Sequence, residues 1–551
     1  MGERFVKSLV AFVGCWIGLF ANIAHGELLH VAVTDARTHD PLACRVYLEN
    51  EAGDFLFVKS ADPAGSALPY TEQWVPMPHA VERHTTVSAH PFEADVPPGD
   101  YTLTIERGKE YCPWRQRIEV RDRGVDVEIE LRRWIDLSAR GFYSGETHVH
   151  RRLEELPNVM MAEDLNVAFP VTFWTVRSDR VPDLAPSTLR SQGPSPWGPR
   201  VDRGSEPIAI DATHVILPRN TEYEIFSVGE TRHTLGAIFV LNHRQVFEET
   251  APPIAPIARA AHEQGALLDL DKHSWPWSMM LVPVASIDLF ELSNNSVWRT
   301  EFGFNSINGK LPPWVELEHD SETTLTEWGW LQYGFEVYYA LLNCGFEIAP
   351  TAGTASGVHP VPLGYSRVYV ELDEPFTVDR WLDGLRQGRS FVTTGPMLFA
   401  RLNEQAPGAR LEWPEPGSCV VEFETQGEWT FERLEVLVNG EVVHAIDGPE
   451  TKRAWPDMVA NRVTLSLEET SWVAVRVMEL RPDGRRRFAH SAPWYIRIGD
   501  EPIRPRREQL DYFIELMEDE LVRNRPVLDP RSLAEFQQAL DHYRTLLERA
   551  K

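Results

Sequence analysis

Two histidines one residue apart, His148 and His150, end the stretch "FYSGETHVH", with Glu146 just before them. Side chains alternate along an extended chain, so both imidazoles leave the same side of a strand. At a strand end such a pair can grip one metal ion. Further donors follow at the ends of apolar runs. "LPRNTEYEIF" carries Glu222 and Glu224 on either side of Tyr223, and "ETRHTLGAIFVLNH" carries His233 and His243. "LLDLDKHSWPW" supplies Asp269, Asp271 and His273, "IDLFELSNN" supplies Glu291, Asn294 and Asn295, and "TASGVHPVPLGYSRVYV" supplies His359. These nitrogen and oxygen donors are the ones that Zn²⁺, Mn²⁺ or Fe prefer. The ion would make hydroxide available from bound water near neutral pH and polarise a carbonyl or phosphoryl oxygen. Each residue also has a plainer role. A lone histidine such as His233 or His262 serves as a hydrogen-bonded structural residue, and strand-end carboxylates cap helices. The order and setting of the whole group carry the argument.

The elements that must position these groups are legible from periodicity. From residue 135 to 397 strand-like apolar runs alternate with helical stretches. "APIARAAHEQG" ends on Gly265 and "TVDRWLDGLRQG" on Gly388, each glycine in the place of a helix stop. Alternating strands and helices imply an α/β sheet or barrel. In parallel α/β folds the functional groups gather at the C-terminal ends of the strands. A Pro-, Ser- and Arg-rich stretch between Arg177 and Asp211 reads as a long surface loop, a candidate lid.

The flanking regions read differently. Residues 27–134 alternate apolar and polar positions with a period of two, as in "VDVEIEL", and predict a β-sandwich. Residues 398–500 predict a second one, with an Asn439-Gly440 hairpin turn. Residues 501–551 predict a helical hairpin, its second helix opening at Asp529-Pro530.

The chain has 551 residues, enough for several domains, and a net charge of −28. A surface this acidic repels phosphate backbones and anionic lipid, which excludes nucleic-acid and membrane-surface roles. Residues 1–26 combine Arg4 and Lys7, a short apolar run and Ala24-His25-Gly26. That is the pattern of a secretory signal peptide, implying export to the periplasm or beyond, with no membrane span after cleavage. Cys15 lies within that run, unlike a lipidation cysteine. Of the other four cysteines, Cys44 and Cys112 share the N-terminal region. They are either an export-compartment disulfide or free buried thiols.

The order of these segments resembles the PHP-type metallohydrolases, in particular their CehA/McbA-like branch. "FYSGETHVHR" resembles the family's opening motif, and "GALLDLDKHSWP" its glycine–apolar–AHP segment. "AGTASGVHPVPLGYSRVYV" resembles its late SDAH segment, and "GLRQGRSFVTTGPML" its closing run. The resemblance covers residues 141–398. It implies a distorted (βα)7 barrel, a site for up to three metal ions, and hydrolysis of ester, carbamate or phosphoester bonds. By position it assigns His148, His150, one of Glu222 and Glu224, and His273 as metal ligands. Two motifs depart from the family. Where it carries TDH, this chain has Trp174, Thr175 and Val176, and where an aspartate is expected late in the chain stands Ala355, with His359 displaced. A trinuclear centre is therefore not expected. One divalent ion is, and a second would need His359, Asp271 or Glu146.

Two functional readings follow. The first is an exported metal-dependent hydrolase acting on a small-molecule or glycan-derived substrate. In it Asp271 or Glu291 serves as general base, and Trp275 and Arg367 bind substrate, with Trp174, Trp277 and Trp298 as further pocket or core residues. The second is a degenerate, non-catalytic scaffold whose β-sandwiches bind glycan or another envelope partner.

Overall fold

The computed structural model describes residues 27–121, 123–185, 200–304, 306–307 and 309–551. The expected signal peptide, Cys15 and segment 186–199 of the expected lid lie outside them. Among the described residues no helix is long and apolar enough to cross a membrane.

Residues 27–131 build two stacked sheets. Glu27–Asp35 lies between Val125–Leu131 and Phe92–Val96, and faces a sheet in which Cys44–Asn50 is flanked by Val81–Val87 and Gly99–Glu106. Period-two alternation puts Leu29, Val31, Val46, Leu48, Leu103 and Ile105 between the sheets, where burying them drives the packing. Cys44 and Cys112 are free thiols, so the disulfide alternative does not hold here. Burial pushes the Cys44 thiol up to about 12, which leaves it inert.

The α/β region differs from a single closed ring of parallel strands. Its strands divide between two hydrogen-bonded sheets. One runs Phe173–Arg177, Thr221–Val228, Thr231–Leu241, Leu267–Leu270, Leu289–Ser293 and Ala349–Ala352. In it Thr221–Val228 and Thr231–Leu241 form an antiparallel hairpin, so the strand–helix alternation breaks there. The other contains Phe142–Val149, Val167–Pro170, Arg367–Glu371 and Ser390–Thr393. The two meet where Val149 bridges Ser356, just past the end of Ala349–Ala352.

The second sheet does not stop at the α/β region. Ser390–Thr393 pairs antiparallel with Arg486–Ser491, so one sheet continues into the C-terminal β-structure. Strand Met397–Leu402 runs across the expected boundary at 397/398 and pairs with Gly417–Gln426. Asn439 and Gly440 both take positive φ, 51° and 84°, as a two-residue hairpin turn requires. The C-terminal helices, Arg507–Asn524 and Pro530–Leu546, pack on each other and on helix Ser278–Ala285. Asp529 caps the second of them by accepting from the amides of Arg531 and Ser532. Glu535 accepts from the amides of Ile254 and Ala255, at 2.9 and 2.7 Å, where helix Ala255–Glu263 begins. The tail thus holds down the helix that precedes strand Leu267–Leu270.

Candidate metal centre

Four strands and the residues just beyond them supply the site. His148 is on Phe142–Val149, with His150 one residue beyond it, and Glu222 is on Thr221–Val228. Asp271 follows Leu267–Leu270, and Glu291 is on Leu289–Ser293. All five side chains are buried. Gly353 lets these strands converge, because a Cβ there would lie 2.3 Å from His148 Cβ and 2.5 Å from Glu291 Oε1. The "TAGTASG" segment carries that requirement without any periodic signal to announce it.

The two imidazoles face each other, with His148 Nε2 3.2 Å from His150 Nε2. His150 Nε2 is in turn 3.4 Å from Glu222 Oε2. Zinc bonds of about 2.0–2.1 Å in a tetrahedron set neighbouring ligand atoms roughly 3.3 Å apart. Both separations match that edge, and the three residues form a group able to hold an ion. Glu222 Oε2, Asp271 Oδ1 and Glu291 Oε1 are buried and accept no hydrogen bond. Buried acceptors are costly to leave in that state. A ring-to-ring N–H···N bond between the histidines would leave Glu222 Oε2 unsatisfied, whereas a cation would satisfy it. By donor type, spacing and unspent acceptors, the residues fit a divalent ion.

Asp271 and Glu291 lie on the other side of His148 and form with it a second group able to hold an ion. Its Nδ1 is 3.3 Å from Glu291 Oε2, its hydrogen-bond partner, and 3.8 Å from Asp271 Oδ2. An Nδ1–H held by a carboxylate leaves the Nε2 lone pair turned toward the ion, the usual support for a metal-bound histidine. Both carboxylates, the expected general bases, face His148 Nδ1. Glu291→Gln should weaken metal affinity about 10–100-fold. Equilibrium dialysis against a chelator checks this, and unchanged affinity would remove Glu291 from the orienting role.

The electrostatics match a site built around positive charge. Burial and the Lys272 ammonium lower His148 to about 3, and burial holds His150 well below its ordinary range. Both rings are therefore neutral at pH 7 with lone pairs available. Burial, then the neighbouring Glu224 charge, pushes Glu222 well above the carboxylate range, and burial with Asp271 does the same for Glu291. Lys272, whose Nζ donates to Asp271, stands among these acids. Burial opposes its charge, but Asp271, Glu224, Glu222 and Glu291 together raise it above the ordinary lysine range. Sequence reasoning passed over Lys272 because its acidic neighbours drew the attention, although "DLDKH" put a cation among them.

Other expected site residues are drawn elsewhere. His273 lies among Phe290, Trp330 and Tyr333, with its Nδ1 3.5 Å from Asn294 Nδ2, and joins neither ion-holding group. Burial lowers it to about 3. His359 Nε2 accepts from Asn295 Nδ2 at 3.1 Å and lies against Trp74, ring centroids 4.1 Å apart, so it too stands outside those groups. Glu224 is outside them as well, half-buried, with its charge acting on Glu222 and Lys272. Glu146 accepts from Thr354 N at 2.8 Å and from Gly364 N, which ties down the loop after Ala349–Ala352 instead of binding an ion. Asp269 accepts from Thr351 Oγ1 at 3.1 Å.

Arg367 corrects a substrate-binding expectation. Its guanidinium donates to the carbonyls of Gly364, Asp164 and Glu163 at 2.7, 3.1 and 3.0 Å, and so is spent inside the fold. Trp275 is half-buried, 5.6 Å from Phe226 by ring centroids and 5.6 Å from Lys272 Nζ. Trp174 packs 5.6 Å from the His150 ring, and both remain at the site, whereas Trp277 and Trp298 are core residues. His233 is bonded to Asn524 at 2.6 Å and His243 to Thr221 at 2.8 Å, both as structural histidines.

No family model matches the sequence, and no curated protein does. One solved structure that aligns with the chain is a two-domain protein from Bacteroides vulgatus ATCC 8482 containing a predicted PHP-like metal-dependent phosphoesterase. It is 8% identical, with 64% of this chain and 94% of that one covered and a TM-score of 0.30. Another, described as pT26-6p, is 10% identical over 29% of this chain and 41% of its own, with a TM-score of 0.14.

Proposed function

We propose that the chain is a metal-dependent hydrolase that works with one divalent ion held by His148, His150 and Glu222. The observation that carries this reading is the pair of 3.2 and 3.4 Å separations among three buried donors, together with carboxylate oxygens that accept no hydrogen bond. Zn²⁺, Mn²⁺ and Fe all suit such donors. When bound, the ion supplies a water of lowered pKa and polarises the bond to be cleaved.

The chain's own residues do the rest. His148 and His150 present neutral rings, Glu291 holds the His148 Nδ1 proton, and Lys272 donates to Asp271 and offsets the surplus of carboxylate charge. Glu224, on the same strand face as Glu222, takes a proton from water. Trp174 and Trp275 give the approach an apolar wall for an ester, carbamate or phosphoester substrate. Motif order resembling the PHP-type hydrolases supports the same reading, and the basic, then apolar, start supports export.

A screen of chromogenic carboxylate and phosphate esters on the protein loaded with zinc or manganese tests this. Turnover that follows the metal is the expected result. No turnover on any ester class, with metal bound, would move the chain to the second reading. That reading, a non-catalytic scaffold, is favoured by one observation: His273 and His359 are both turned into aromatic surroundings.

A further inference from the structure

A cavity of about 320 Å³ lies where the N-terminal sandwich, the α/β region and the C-terminal β-structure meet. Its size is at the lower end for small-ligand sites. In a chain of net charge −28, this lining carries six cations against four carboxylates. Three ion-pair sets use up most of these charges. Arg45 is paired with Glu163 and Glu106, Arg299 with Glu106, and Arg481 with Glu428. Arg487 reaches Glu327 at 3.2 Å, Arg367 is spent on carbonyls, and Asp483 sits at the exposed rim.

Lys109 is left over. Among the described residues no carboxylate lies within ion-pair distance of it, and its Nζ donates to the Thr394 carbonyl at 2.9 Å. The ammonium stands 4.6 Å from the centre of the Tyr365 ring, and the Tyr365 hydroxyl is 3.5 Å from Arg487 Nη2. Arg487 is 1% exposed, and its Nε–H is buried with no acceptor, as is that of Arg45. Lys109, Arg481 and Arg487 thus bring three cations to the wall around Tyr365, against Glu428 and the exposed Asp483. The field there is strongly positive. Burial, then Arg367, Arg487 and Arg481, lowers Lys109 well below its ordinary range. Burial would raise the Tyr365 phenol, yet Arg487, Arg481 and Arg485 pull it below its ordinary value.

We propose that this cavity binds a small tetrahedral oxyanion of the phosphate or sulfate class, held by Lys109, Arg481, Arg487 and the Tyr365 hydroxyl. A dianion offsets the surplus of cations over carboxylates in this lining, and charge-assisted hydrogen bonds of this kind are the strong ones. The proposal is independent of the metal centre, because the lining shares none of its ligands.

Calorimetric titration of the full chain with inorganic phosphate, sulfate and acetate tests it. Phosphate and sulfate should bind saturably at one site, more weakly as salt rises, and acetate less well. Lys109→Met should weaken phosphate binding about 10–100-fold and Tyr365→Phe roughly 2- to 10-fold. Binding should survive in the His148→Ala, His150→Ala variant, which separates this site from the metal centre. If Lys109→Met fails to fold, Tyr365→Phe and Arg481→Gln carry the test. Three results would each overturn the proposal: no saturable binding, equal binding in these variants, or loss of binding with the two histidines.

Discussion

The His148→Ala, His150→Ala variant is expected to lose its bound metal and about 10³-fold in hydrolytic rate. Metal assistance to hydrolysis is worth several kcal/mol, and roughly 4 kcal/mol corresponds to that factor. The loss should appear in kcat, since the ion acts on the reacting bond and not on distant parts of the substrate. The double truncation also removes two buried rings, one of them packed 4.5 Å from Phe239 by centroids, so some stability will be lost as well. Glu222→Gln separates the two effects. It keeps the shape, removes the charge that faces His150 Nε2, and should weaken metal binding with little change in fold. Full activity in Glu222→Gln would contradict the assignment of that residue as a ligand.

The second large effect concerns Lys272. Lys272→Met should destabilise the fold by about 3–5 kcal/mol, the usual cost of removing one partner of a buried ion pair. The physical reason is on the strand ends around it. The ammonium donates to the buried Asp271, and Glu224, Glu222 and Glu291 beside it also favour its charge. The same variant should bind divalent metal more tightly, because a repelling charge beside the site has gone. Metal at a hundredfold excess over its dissociation constant should then return about 2.7 kcal/mol of stability. Urea unfolding with and without zinc reads both quantities. A variant as stable as the parent, with no gain in metal affinity, would remove Lys272 from this role.

The pair His148 and His150 was legible because a strand end needs only the spacing of two to bring their rings together. The choice between Glu222 and Glu224 was not, since period two puts both on one face and only the depth of burial separates them. His273 and His359 illustrate another limit. Each sits in a segment resembling a ligand motif, but the aromatic side chains that surround it come from far along the chain. Trp330 and Tyr333 lie on helix Glu327–Asn343, and Trp74 follows a strand of the N-terminal sandwich. Arg367 had no local sign that its acceptors would be the carbonyls of residues 163, 164 and 364. The β-sandwich strands were plain from alternation, and the Asn439-Gly440 turn from its residue types. The sheet that joins Ser390–Thr393 to Arg486–Ser491 was not, because pairing across almost a hundred residues leaves no periodic trace.

The central claim is one ion between His148, His150 and Glu222. Anomalous diffraction at the zinc or manganese edge, on crystals of the metal-loaded chain, tests it most directly. A single peak is expected within bonding distance of His148 Nε2, His150 Nε2 and a Glu222 carboxylate oxygen. No peak, or one held by Asp271 and Glu291 or by His273 and His359, would contradict it.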